Sequence, residues 1–176
     1  MPGTKPRQRF ADDVAGRFRS ASLEEWRVTT GDPEVADRIY ELLGGQAPQE
    51  WETSKEDNLE VFTAATTIEV IIEKASDLRQ RMILWGWRGA VPSIELTFRL
   101  ASDPDLGKFQ FSTGSWGLAR DLAAEDVEGQ LAAIDGPARA TLTLSPESFV
   151  PKNGPMKGKT VSFTKSELVI KGAVEA

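Results

Sequence analysis

Histidine and cysteine are both absent from this chain of 176 residues. Without cysteine there can be no disulfide and no thiolate metal site. Without histidine, Ser-His-Asp and Cys-His nucleophile systems are excluded, and so is imidazole ligation of a metal. The usual proton shuttle near neutral pH is missing as well. The expectation is a protein with no cofactor, no metal site and no catalytic residues, and so not an enzyme. Acid–base work would fall to Asp, Glu, Lys and the single Tyr40. Tyr40 lies between Ile39 and Glu41 in a helical pattern, where packing or a surface role suits it better. No apolar run approaches the ~18 residues needed to span a bilayer. The longest, Ile68 to Ile72, is interrupted by Glu69. Met1 to Phe10 carries three basic residues and no apolar stretch, unlike a signal peptide. These features together lead to the expectation of a cytosolic protein with no membrane partner.

The net charge of −6 is unevenly spread. Residues 1–20 hold five basic and two acidic side chains, and residues 148–176 hold the same balance. The stretch between them holds 11 basic and 23 acidic residues. An acidic body repels phosphate backbones, because DNA affinity is carried largely by Lys and Arg replacing counterions. Little direct DNA binding is therefore expected, and the basic ends read first as solvated tails.

The pattern along the chain divides it into an extended basic segment at residues 1–20, one α+β domain at 21–172, and a tail at 173–176. Glu25 to Thr29 alternates as a strand. Asp32-Pro33 opens a helix, with a side-chain acceptor at the N-cap and Pro where a missing N–H costs nothing. Val35, Ile39, Leu42 and Leu43 form its apolar stripe, and Gly44-Gly45 ends it. Further strands are expected at Leu59 to Thr63, Thr67 to Glu73, Gln80 to Trp87, Ile94 to Leu100 and Phe109 to Phe111. Leu118 and Leu122 begin a second helical stretch. It breaks near Glu125, because Val127, Leu131 and Ile134 continue out of phase, and Gly136-Pro137 stops it. Arg139 to Leu144, Thr160 to Phe163 and Glu167 to Lys171 complete the strands, with a loop at Pro151 to Lys159. The fold class is α+β, mainly antiparallel sheet with two helical segments. Thr30-Gly31-Asp32 is echoed by Thr113-Gly114-Ser115, each after a strand and before a helix. The echo allows two pseudo-symmetric strand–turn–helix halves. A shared need for Thr, Gly and a capping residue at such turns explains it better.

Few patterns carry chemistry. Asp12-Asp13 and Glu24-Glu25 are adjacent carboxylates, but neighbours on an extended segment point to opposite sides and do not face each other across a cleft. Asp103 and Asp105 are too few to chelate a hard cation, and Pro104 between them makes a turn. The two Thr-Gly turns lack the glycine spacing and the lysine of a phosphate loop. The five tryptophans say more. Trp26 and Trp51 lie beside regular elements and read as core. Trp85 and Trp87 straddle Gly86 and precede Arg88, and Trp116 follows a turn. Trp and Arg dominate binding hot spots, which makes Trp85, Trp87, Arg88 and Trp116 the candidate partner-binding residues. Burial in the core is the competing reading for each of these tryptophans.

Several runs together resemble the recombination directionality factors that actinobacteriophages encode to control large serine integrases. They are Asp12 to Ser20, Glu25 to Ala36, Glu50 to Thr53, Asn58 to Phe62, Leu78 to Met82 and Leu84-Trp85-Gly86. The resemblance continues through Phe98-Arg99-Leu100, Asp103 to Gly107, Ser112 to Trp116, Lys152 to Pro155 and Lys157-Gly158. These runs cover most of the chain in order, and none is a mechanistic signature by itself. Two departures stand out. The family is longer between Leu-Trp-Gly and Phe-Arg-Leu, with an insert that often contains cysteines, and the stretch from Ser20 to Leu23 is shortened here.

The resemblance implies a protein that makes and breaks no bond itself. It would bind a DNA-bound large serine integrase near its coiled-coil arm, favour the synaptic arrangement that excises a prophage from attL and attR, and disfavour joining of attP to attB. It would work in the host bacterial cytosol on no small-molecule substrate. Such a partner shifts an equilibrium by binding one assembly state better than another. Two other readings stay open from the residues: a single-strand nucleic-acid-binding barrel with aromatic stacking platforms, and an enzyme with a carboxylate site of shifted pKa.

Overall fold

The computed structural model describes residues 14–20, 25–53, 56–84 and 86–174, with Arg88 described by its backbone alone. No helix among the described residues is long and apolar enough to cross a membrane. Asp12, Asp13, Glu24 and Trp85 lie outside the described residues.

Period-two alternation produces the sheet. Its clearest case is β7 (Ala90–Leu100), where Pro92, Ile94, Leu96, Phe98 and Leu100 are all buried and the residues between them are not. The other strands are β1 (Gly16–Ser20), β2 (Trp26–Thr30), β3 (Gln49–Glu50), β4 (Leu59–Phe62), β5 (Thr67–Ile72), β6 (Leu78–Leu84), β8 (Lys108–Thr113), β9 (Ala138–Phe149) and β10 (Val161–Ala173). They form a single sheet in the order β10-β9-β5-β7-β8-β1-β2-β4-β3, with β6 lying beside β7. β1 and β8 run parallel, with Phe18 opposite Phe111, and the other pairings are antiparallel. The fold is α+β with mainly antiparallel sheet.

Three helices pack on the sheet. α1 (Pro33–Leu43) starts as its sequence requires: the Asp32 carboxylate accepts from the Glu34 N–H at 2.9 Å, and Pro33 occupies the first turn. Val35, Ala36 and Ile39 are buried, whereas Leu42 and Leu43 are only partly so. Gly44 and Gly45 both have positive φ, and a Cβ on Gly45 would sit 2.0 Å from the Phe62 carbonyl oxygen. The close return of the chain onto β4 therefore admits only glycine there. The second helical stretch is split into α2 (Trp116–Ala124) and α3 (Val127–Ile134), each burying its own pair of apolar residues. At the break Asp126 is left-handed (φ 49°), and its carboxylate accepts from the Gly129 N–H at 3.3 Å.

The core is aromatic at its centre. Phe18, Trp26, Phe98, Phe109 and Phe111 meet mostly edge to face, with centroids 5.2 to 6.3 Å apart. Such geometry sets the positive ring edge against the negative face. The Trp26 indole N–H is satisfied by the Thr66 carbonyl at 2.9 Å.

Three sequence expectations need correction, and one is sharpened. Gly16–Ser20, at the end of the segment expected to be extended, is a strand between β8 and β2. The strand expected to reach Trp87 ends at Leu84, because Gly86 takes a positive φ and Gly86–Arg88 forms a 3-10 turn. Thr160 to Phe163 and Glu167 to Lys171 are one strand, since pairing with β9 runs unbroken through Thr164-Lys165-Ser166. Trp51 is half-buried, with the Arg27 guanidinium 4.4 Å from its ring centroid.

The echoed turns share their hydrogen bonds. Thr30 Oγ1 accepts from the Asp32 N–H and Thr113 Oγ1 from the Ser115 N–H, after which each capping side chain accepts from the first turn of its helix. The halves do not repeat beyond that. α1 returns the chain to β4 beside β2, whereas α2 and α3 carry it across the sheet to β9 beside β5.

Candidate functional site

Exposed apolar side chains gather at two places among the described residues: the β9–β10 end, with Phe149, Val150, Met156 and Phe163, and the β6–β7 hairpin, which carries the candidate residues. Its strands pair from Leu78 opposite Leu96 to Leu84 opposite Ala90. Near the base, alternation buries Leu78, Ile94 and Leu96 against the core. Toward the tip Met82 and Leu84 are exposed, and Trp87 at the apex is 92% exposed. Leu84, at 84%, is nearly as open. The sharp reversal rests on Gly86 and Gly89, both at positive φ. A cluster of this kind at the end of a projecting hairpin departs from the usual scatter of single apolar residues over a surface.

The second half of the candidate set lies close by. Trp116 is the first residue of α2 and is 60% exposed. Ser115 caps the helix, and Gly114 just before it comes so near β7 that an added Cβ would stand 3.4 Å from the Pro92 carbonyl oxygen. Pro92 is paired with Met82 across the hairpin. The α2 N-terminus therefore flanks the hairpin, which places Trp116 at the same end of the molecule as Met82, Leu84 and Trp87. Arg88 enters the apex turn by its backbone, and Trp85 lies outside the described residues. Sequence reading overlooked Met82 and Leu84. The available signal was that they follow Gln80 in alternation on the face opposite Ile83.

A second feature is a recess on the outer face of the sheet, about 410 Å³ in volume, bordered by Lys74, Asp77, Arg79, Glu95, Lys108 and Gln110. Its charges nearly balance. Burial raises the Asp77 carboxyl above its ordinary pKa, against the opposing pull of Lys108 and Lys74. Glu73 behaves oppositely: a hydrogen bond from Arg99 is the main cause holding its carboxyl below the usual range, and Lys108 at 3.2 Å adds to it. The Arg99 Nη1 also donates to the Pro104 carbonyl, which ties the Asp103-Pro104-Asp105 turn to the sheet. Asp103 is taken up by Arg38 at 2.9 Å, so this turn serves to dock α1. These ion pairs have structural partners on both sides, and the recess is a polar hollow in which burial raises the Asp77 carboxyl.

The comparisons with known proteins add no family to this geometry: no protein-family model matches the chain, and no solved structure matches it.

Proposed function

We propose that this protein is a recombination directionality factor. It binds a large serine integrase on attachment-site DNA and switches it from joining attP and attB to joining attL and attR. The specific identity rests on the ordered resemblance of its sequence to that family. The structural observation that supports a protein-binding role is the exposed apolar end formed by Met82, Leu84, Trp87 and Trp116. Rigid aromatic side chains bury large areas at low entropic cost, and such residues dominate binding energy. The acidic middle of the chain suits a partner that docks on the integrase while the integrase holds the DNA. No step in this role requires the chain to make or break a bond. The differential affinity for one synaptic arrangement does the work.

The test is a recombination reaction containing integrase and paired attachment sites, with and without this protein. Added protein is expected to permit attL × attR recombination and to suppress attP × attB recombination. Unchanged product direction, together with no binding to integrases of plausible phage partners, overturns the reading.

A further inference from the structure

The basic C-terminal region reads as a solvated tail in sequence, yet its lysines stand on an ordered ribbon. β9 pairs with β5 only as far as Thr143, and the Leu144 N–H closes that side on the Thr66 carbonyl. Beyond this point Ser145 to Phe149 pair with Lys165 to Val161 of β10, and no other strand among the described residues pairs with them. The two strands therefore leave the sheet as a ribbon roughly 16 Å long, at about 3.3 Å per residue. Asp121 of α2 holds Lys165 at 2.7 Å and braces the ribbon at its base. The connecting residues 150–160 form a fixed turn. The Gly158 N–H donates to the Pro151 carbonyl at 3.2 Å, and the backbone N–H groups of Lys157 and Lys159 donate to the Gly154 and Met156 carbonyls.

Lys152, Lys157 and Lys159 are exposed on this turn, and no Asp or Glu lies in the chain between Glu147 and Glu167. None of the three forms an ion pair among the described residues. Beside them Phe149, Val150, Met156 and Phe163 are exposed, with the two phenylalanine rings edge to face at 5.9 Å. Exposed apolar side chains gathered in this way mark an interaction site, and the lysine rim selects a polyanion. The acidic body does not cancel that rim. Exposed charges further apart than about 8 Å are largely screened at physiological salt, and the ribbon carries its lysines about twice that far from the rest of the sheet.

Two-stranded ribbons fit the major groove of duplex DNA, which is about 12 Å wide. We propose that the β9–β10 ribbon is an arm that enters a groove of duplex DNA, with Lys152, Lys157 and Lys159 on the phosphates and the Phe149–Phe163 pair against sugars and base edges. The contact is independent of base sequence, because lysine on phosphate fixes position and carries no sequence information. A bilayer is the poorer match. The apex, Lys152-Asn153-Gly154-Pro155, has no large apolar side chain to enter hydrocarbon, and the phenylalanines stand on the strands below it. The arm does not depend on the integrase reading: its residues lie on β9, β10 and their connection, and not on the β6–β7 hairpin.

The test is fluorescence anisotropy of a labelled duplex of about 30 base pairs, titrated with the full chain and no integrase at about 20 mM salt. The wild type should bind with a Kd on the order of 10–100 µM and weaken with salt. The slope of log K on log salt should be about −2.7, from about −0.9 for each of three phosphate contacts. A variant combining Lys152→Gln, Lys157→Gln and Lys159→Gln should melt with the wild type and bind at least about tenfold more weakly. It keeps every basic residue of 1–20, so its loss assigns the contact to the ribbon. Each single substitution should flatten the salt slope by about 0.9. No binding at on the order of 100 µM overturns the inference. So does full affinity in the folded triple variant, or tighter binding to phosphatidylserine vesicles than to duplex at the same salt. Because integrase is absent, each of these results leaves the directionality reading standing.

Discussion

Trp26 and Trp87 are the same residue in opposite circumstances. Trp26 is fully buried, edge to face with Phe18 and Phe111, and its indole N–H is spent on Thr66. Trp87 stands at a hairpin apex with most of its surface exposed. Around Trp26 four strands converge, so each aromatic is held by several others. Trp87 is carried by a turn bounded by Gly86 and Gly89, both at positive φ. The contrast separates aromatic residues that hold the fold from aromatic residues available to a partner. A tryptophan left in water forgoes roughly the burial energy that its counterpart gains. Retaining it there fits a surface whose energy is realised on binding.

Substitutions should break the two regions differently. The largest effect is expected from Trp26→Ala, which empties the centre of the core and should cost about 3–5 kcal/mol in urea melts. Gly45→Ala comes next. A Cβ there meets the Phe62 carbonyl at a distance no real contact shows, and the positive φ adds strain, for about 1–3 kcal/mol. Asp32→Ala removes the acceptor for the Glu34 N–H and should cost about 0.5–2 kcal/mol. A melt of this variant that matches the wild type would show that the cap adds nothing to α1. Trp87→Ala should change stability by no more than about 0.5 kcal/mol, and a large loss would place it in the fold.

The smallest effect concerns pH. The folded-state pKa of Glu73 lies below its ordinary value because Arg99 and Lys108 hold the ionised form. Its contribution is therefore present above the ordinary carboxylate range and is lost as pH falls through the lowered value. Glu73→Gln should reduce stability at neutral pH while flattening the acid limb of the stability curve. Asp77 has the opposite sign, since burial favours its protonated form. Asp77→Asn should relieve that cost at neutral pH and leave any effect on recombination direction intact. Loss of directional activity in Asp77→Asn would favour a functional role for the recess.

How much of this was legible in the sequence follows from where local chemistry decides structure. The α1 boundaries were readable, because Asp32-Pro33 and Gly44-Gly45 act through their own backbone and need no distant partner. The α2–α3 break was readable from the phase change between Leu122 and Val127. β1 was not: Gly16-Arg17-Phe18-Arg19-Ser20 looks like a charged tail until Phe18 is placed among Phe98, Phe109 and Trp26, contacts spanning as many as 91 positions. The continuity of β10 was hidden for a related reason, since Thr164-Lys165-Ser166 becomes strand only by pairing with β9. At the candidate site, the chemistry of Trp87 and Trp116 was visible and their exposure was not. Alternation alone put Trp87 on a strand, and Gly86 turned it onto the apex instead.

The most direct test of the central claim measures integrase affinity for the wild type and for Trp87→Ala, with thermal stability recorded on the same samples. If the hairpin apex is the partner-binding surface, Trp87→Ala should melt with the wild type and bind integrase at least about thirtyfold more weakly, the loss typical of a hot-spot aromatic. Full affinity in a folded Trp87→Ala protein would contradict the account.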